Sequence, residues 1–222
     1  GGFGVRTTSS TLELANPAQR LLAFLALQDR PVGRLSLAGT LWPDSSEERA
    51  AACLRSALWR LRRLGLELVQ VNGTELRLAP GVDVDLTRLV AAARRIEAHE
   101  TVDDMAGLAD RFGQDLLPHW YDDWVTIWRE RWRHLRLQAL ESLAVVLAAA
   151  GVYSRAVEAG LAAVEAAPLR ETAHRALIHV HLQQGNQAEA LRQYHAYRRL
   201  LQVELGMDPS PLMETLVSAP SW

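Results

Sequence analysis

Hydrophobic and polar positions follow two rhythms along this chain, one helical and one extended, and the places where they change mark its elements. Between Ser46 and Gly65, Leu54, Ala57, Leu58 and Leu61 recur at the i, i+3, i+4, i+7 spacing of a core-facing helix. Arg49, Ala52, Ser56, Trp59 and Arg63 fall on the opposite side, flanked by Arg55, Arg60 and Arg62. Ser45 and Glu48 form an S-x-x-E capping box, two acids sit at the positive helix end, and Gly65 is suited to a left-handed stop. The prediction is an amphipathic helix with one buried seam and one arginine-rich face.

Earlier in the chain, Gly1 to Leu14 reads as one or two short strands separated by the polar TTSS turn. Asn16-Pro17 is a cap followed by a first-turn proline, with Gln19 at the capping-box position. Ala18, Leu21, Leu22 and Leu25 form the stripe of a first helix that ends before Pro31. A short second helix is expected from Val32 to Pro43, which stops it. After Gly65 the period changes from helical to two: Val69 and Val71 alternate with polar residues, Asn72-Gly73 offers a type I′ turn, and Leu76 and Leu78 alternate on the return. Helix, helix, long helix and hairpin is the order of a winged helix-turn-helix, here preceded by a small N-terminal sheet.

The pattern lapses from Pro80 to Asp83, which places a domain junction there and divides the chain into 1–80 and 81–222. Helices are expected over Asp85–Ala98, Thr101–Phe112 and Asp122–Ala150, the last long enough to bend. Trp120, Trp124, Trp128 and Trp132 recur every four residues, a row that drifts about 40° per step, and a packing seam explains it better than an aromatic binding strip. Glycines 151 and 185, and alanines 156 and 190, are each 34 residues apart, the tetratricopeptide period. Ala163 and Pro168 fit the later signature positions of the first copy, Tyr194 the aromatic position of the second, and a final helix over Leu212–Val217 caps the stack. The expected fold is mainly α: an N-terminal OmpR-like winged helix-turn-helix, then an all-α tetratricopeptide-like domain.

Composition adds a partition of charge. The net charge of −2 combines 10 arginines against 7 acids in residues 1–80 with 14 against 19 in residues 81–222. A basic first half suits a polyanion and an acidic second half does not. All 24 basic residues are arginine, as codon bias in a GC-rich genome produces. With 49% hydrophobic residues, no bilayer-length apolar run and no basic-then-apolar leader, the expectation is a soluble, cytoplasmic protein without membrane association. The single cysteine, Cys53, has no internal disulfide partner. Opening without Met, inside a strand-like segment, the sequence points to a native chain that begins earlier.

Catalytic constellations are missing. There is no G-x-x-x-x-G-K-[ST], no G-x-G-x-x-G after a strand, no G-x-S-x-G and no H-E-x-x-H. His174, His179 and His181 lack the carboxylate or cysteine of a metal set and read as packing or surface residues. Asp103-Asp104 and Asp122-Asp123 read as helix-start acids. Neither enzymatic activity nor a metal or cofactor is expected.

Taken in order, QRLLAFLAL, V-x-R…LA…LWPD, LRSALWRLRR, LRLAPGVDVDL, LLPHWYDDW and EALRQYHAYRRLLQVELGMDPSP resemble the Streptomyces antibiotic regulatory protein type of activator, with its bacterial transcriptional activation domain. The resemblance covers nearly the whole chain. It implies copies bound side by side on direct repeats of double-stranded DNA, as a homodimer on DNA, recruiting RNA polymerase with its sigma factor, in a nucleoid-associated setting and for a specialised-metabolite gene cluster. Larger relatives append an ATPase or sensor region that this sequence does not carry. For contact with DNA the residues singled out are Arg55, Ser56, Trp59, Arg60 and Arg63, with Arg49 where the helix enters the groove and Thr74 and Arg77 on the hairpin. Arginines neutralise phosphates and, where the fork reaches guanine, read bases. Trp59 either touches a thymine methyl or sugar, or packs against the wing. The competing reading is a protein-interaction adaptor with the winged domain as a docking surface.

Overall fold

The computed structural model describes residues 2–8, 10–98 and 105–218. It divides into two compact units: Gly2–Asp85 with Leu117–Trp128, and Leu86–Leu116 with the residues from Arg129 onward.

In the first unit, β1 (Val5–Arg6) pairs antiparallel with β2 (Thr11–Leu12), and Thr7 and Ser10 close the connection through backbone and hydroxyl hydrogen bonds. Gly1 and Ser9, part of the expected strands and turn, lie outside the described residues. Helix α1 (Asn16–Ala26) buries Ala18, Leu21, Leu22 and Leu25 as its stripe predicts. Its start differs from expectation. Ala15 is the N-cap without a side-chain bond, Asn16 is already inside the helix, and the Gln19 amide donates to the Leu14 carbonyl at 2.7 Å.

The segment expected as one helix over Val32–Pro43 is a strand followed by a helix: β3 (Val32–Gly33), then α2 (Arg34–Leu41). Val32 and Gly33 pair with Leu76 and Glu75, a long-range contact that outweighs the local helical pattern. After α3 (Glu47–Arg62), β4 (Val69–Asn72) and β5 (Glu75–Leu78) form the hairpin, giving a three-stranded sheet in the order β3-β5-β4.

The hairpin loop is Gly73-Thr74 rather than Asn72-Gly73, because Asn72 pairs with Glu75. Only Gly73 has positive φ, +57°, so the turn has the glycine-first arrangement of type II′ and not the two left-handed residues of type I′. Cross-strand packing explains the choice. The observed register sets Val71 opposite Leu76 and Val69 opposite Leu78, whereas an Asn72-Gly73 loop sets Val71 opposite Thr74.

Residues 117–128 group with the first unit, which a single cut at 80–83 does not describe. Trp124 meets Phe24 edge-on at 5.2 Å between centroids, Trp120 lies 5.8 Å from Phe3, and Asp122 pairs with Arg20 of α1. The tryptophan row is a packing seam here, as its spacing predicts.

The second unit is helical: α4 (Asp85–Glu97), α5 (Met105–Gly113), α6 (Asp123–Ala149, from Arg129 on), α7 (Tyr153–Ala166), α8 (Glu171–Gln183), α9 (Gln187–Leu205) and α10 (Pro211–Ser218). Residues 101–104, expected to open the second of these helices and including Asp103-Asp104, lie outside the described residues. The 34-residue repeat is visible in the backbone: Gly151 and Gly185 both take left-handed φ, +75° and +77°, just before α7 and α9. Gly160 lets α7 approach α8, since a Cβ there would lie 3.0 Å from Leu177 Cδ1 and 3.3 Å from Leu177 Cα. Its core joins Ile96, Phe112, Leu140, Leu143 and Leu147 to the alanines of α7, and a second cluster seats Met213 of α10 against Ile178, Tyr194 and Tyr197.

His174 is buried in this unit and both its ring nitrogens are engaged. Nε2 donates to the Pro168 carbonyl at 2.8 Å, so Nδ1 accepts from the Gln193 amide at 2.8 Å, and the ring stacks on Tyr197 at 4.1 Å. Burial pushes its pKa below the usual histidine value.

Candidate nucleic-acid interface

Helix α3 forms where its caps and charges direct it. Pro43 prevents α2 from continuing, and the Ser46 hydroxyl accepts from the Arg49 amide at 3.4 Å. Ser46 is thus the N-cap, one residue later than the expected Ser45. Glu47 and Glu48 occupy the first turn and Arg60 and Arg62 the last, each complementing the helix dipole. Arg63 is the C-cap and Gly65, at φ +69°, turns the chain away. Ala50, Leu54, Ala57, Leu58 and Leu61 are buried against α1 and α2. Each buried leucine contributes about 1.5–3 kcal/mol, far more than the few tenths by which residues other than Gly and Pro differ in helix propensity, so packing holds this helix.

The opposite face is open. Arg49, Arg55, Ser56, Trp59, Arg60, Arg62 and Arg63 are all exposed. Among the described residues, no carboxylate pairs with any of these arginines, although the rest of the protein pairs Arg20, Arg136, Arg155, Arg170, Arg192 and Arg198 with acids. Unpaired guanidinium groups on one helix face make a positive strip with its hydrogen-bond forks free. Trp59 is 57% exposed, so it is not sealed against the hairpin. Its ring is covered instead by the guanidinium of Arg63, whose Cζ lies 4.8 Å from the ring centroid.

The hairpin residues occupy different stations. Thr74 is exposed at the turn, and its carbonyl accepts from the Arg34 amide at 2.8 Å, tying the loop to the start of α2. Arg77 is exposed on β5 and donates through Nε to Gln70 Oε1 at 2.7 Å. Gln70 is the neighbour of Arg77 that sequence reasoning missed. It faces Arg77 only in the observed register, and the expected turn would have set it opposite Glu75.

A family model described as the bacterial transcriptional activator domain matches residues 82–219. The chain belongs to that family. This member of the bacterial transcriptional activator domain family is 32% identical over 225 residues to the regulatory protein AfsR of Streptomyces griseus, covering 94% of this chain. It is 33% identical over 227 residues to AfsR of Streptomyces coelicolor, covering 93%. In each case the chain spans 22% of the relative's length. These matches bear out the resemblance drawn from the motifs, to the Streptomyces antibiotic regulatory protein type with its bacterial transcriptional activation domain. Mycobacterium tuberculosis EmbR, solved in complex with a low-affinity phosphopeptide, superposes with a TM-score of 0.77 over 98% of this chain and 62% of its own. At 23% identity that likeness shows the fold: mainly helical, with small antiparallel sheets. Among the described residues no helix is long and apolar enough to cross a membrane.

Proposed function

We propose that this chain is a sequence-specific, DNA-binding transcriptional activator whose first unit works as a winged helix-turn-helix. In this reading α3 lies in the major groove. Arg49, Arg55, Arg60 and Arg63 meet phosphates or guanine edges, Ser56 approaches the bases, and the hairpin brings Thr74 and Arg77 to the adjacent backbone. The observation that carries it is the exposed face of α3, where arginines stand without acidic partners while the opposite face is fully committed to the core. The helical unit, with its tetratricopeptide-like repeat and acidic balance, is left for protein partners: RNA polymerase and its sigma factor. Copies bind side by side on direct repeats as a dimer formed on DNA, within the nucleoid, and switch on a specialised-metabolite gene cluster. Gel shift on genomic fragments tests the reading. Sequence-selective retention that weakens steeply with salt supports it, and no selective band returns the chain to the class of protein-interaction adaptors.

A further inference from the structure

On the exposed face of α3, Trp59 and Arg63 stand one turn apart with the guanidinium over the indole. A large aromatic surface left in water is unfavourable, yet Trp59 is 57% exposed at the centre of the arginine face, and no other aromatic ring lies on that face. Stacking occupies the flat face of a guanidinium and leaves its N–H donors, which lie in the plane, free for a ligand. It also restricts a long side chain that otherwise loses much rotamer freedom on binding. Arg63 is the C-cap of the helix. The N-terminal residues of a recognition helix meet base edges, so a residue at its other end falls at the edge of the groove, against the phosphates.

We propose that Trp59 is a positioning residue: a shelf that holds Arg63 in place to neutralise a DNA phosphate, rather than itself contacting a base. The proposal rests on the DNA-binding reading of α3 and specifies how two of its residues divide the work. Its signature is that an uncharged residue governs a charge-dependent quantity. The slope of log affinity against log salt falls by about 0.9 for each phosphate that is no longer neutralised. Arg63→Ala reduces the slope by about that much. Trp59→Ala, which removes no charge, reduces it in the same direction by acting through Arg63.

The test uses the full chain and the shortest genomic duplex retained by the unaltered protein in gel shift, titrated by fluorescence anisotropy from 50 to 200 mM salt. The variants are Trp59→Ala, Trp59→Phe, Arg63→Ala and the Trp59→Ala/Arg63→Ala pair. Trp59→Ala is expected to weaken binding about five-fold, the roughly 1 kcal/mol of an exposed cation–π contact converted at 1.4 kcal/mol per tenfold. In the Arg63→Ala background the same change has no further effect, and Trp59→Phe, which keeps a ring beneath the guanidinium, recovers most of the affinity and slope. Additive losses, or weaker binding by Trp59→Ala at unchanged slope, mean that Trp59 touches DNA directly and overturn the proposal while leaving the DNA-binding reading intact. Unchanged binding by Trp59→Ala overturns it as well. Failure of the unaltered protein to retain any fragment overturns both readings together.

Discussion

Arg136 is buried, with 5% of its surface exposed, and its removal is expected to destabilise the helical unit. Its Nη1 donates to the carbonyls of Phe112, at 3.3 Å, and Gly113, at 2.9 Å, and Nη2 pairs with Asp115. Those carbonyls end α5, where the last turn has no intrahelical donors and the dipole favours a cation. Replacing a buried ion pair by an apolar side chain is often neutral, because the desolvation cost disappears with the charges. Here the acceptors are backbone and remain after the substitution. Arg136→Met keeps much of the stem's packing but strands the Phe112 carbonyl, at a cost of about 1–3 kcal/mol for an unsatisfied buried group, and removes a second bond to Gly113 of about 1 kcal/mol. The Asp115 side chain is 52% exposed, so loss of this pair adds little. Relief of the guanidinium's own desolvation offsets part, leaving a net destabilisation of about 2–3 kcal/mol. Arg136→Ala costs about 1–2 kcal/mol more because the stem goes too. Urea denaturation followed by far-ultraviolet circular dichroism measures this in the helical transition. Arg136→Met within about 0.5 kcal/mol of the unaltered chain would mean that water replaces the guanidinium and that the carbonyls are never stranded.

Other consequences follow from single contacts. Burial holds the His174 pKa below its unfolded value, so the unfolded chain binds the extra proton first: stability is fully present above about pH 6.5 and is lost as pH falls from there toward the folded pKa. His174→Gln should flatten that decline in thermal melts between pH 7 and 5, leaving the part due to His181, whose pKa burial also lowers; an unaltered pH profile would sink this assignment. Gly160→Ala gains about 1 kcal/mol of helix propensity but forces a methyl against Leu177, an overpacking cost of about 1–3 kcal/mol, so a lower urea midpoint is expected and a higher one would contradict the close approach. Arg60→Ala should weaken DNA binding and lower the salt slope, while Arg199→Ala, on α9 of the helical unit, leaves the slope unchanged; equal slopes for both would count against the α3 strip.

Much of this organisation is legible in the sequence because it depends on local periodicity. The α3 seam, the α1 stripe and the 34-residue repeat each repeat a pattern many times, and the structure places them as read. The features that differ from expectation depend on a distant partner or on a choice between adjacent equivalents. Strand β3 is two residues long and exists only because β5, more than forty residues later, pairs with it. Ser45 and Ser46 carry the same hydroxyl, and only backbone geometry selects the cap. The Asn-Gly pair is a strong turn signal, yet cross-strand contacts between Val71 and Leu76 and between Val69 and Leu78 move the loop by one residue and thereby give Arg77 its Gln70 partner. On the candidate interface the helical period groups the arginines, Ser56 and Trp59 as a face, but an i, i+4 spacing permits a Trp59–Arg63 contact without requiring it. The tryptophan row marks a seam, not what it packs against: Trp124 meets Phe24, while Trp132 donates its indole N–H to the Gln114 carbonyl and lies near Phe112.

DNA recognition through α3 stands or falls on footprinting of the full chain on a fragment that it retains. Two similarly oriented sites, spaced by a whole number of helical turns of DNA, should be protected, and both should lose protection together when Arg55 and Arg60 are replaced by alanine in a protein that keeps its circular dichroism spectrum. Protection that survives the double replacement, or no protected site on any fragment, would contradict that role for the helix.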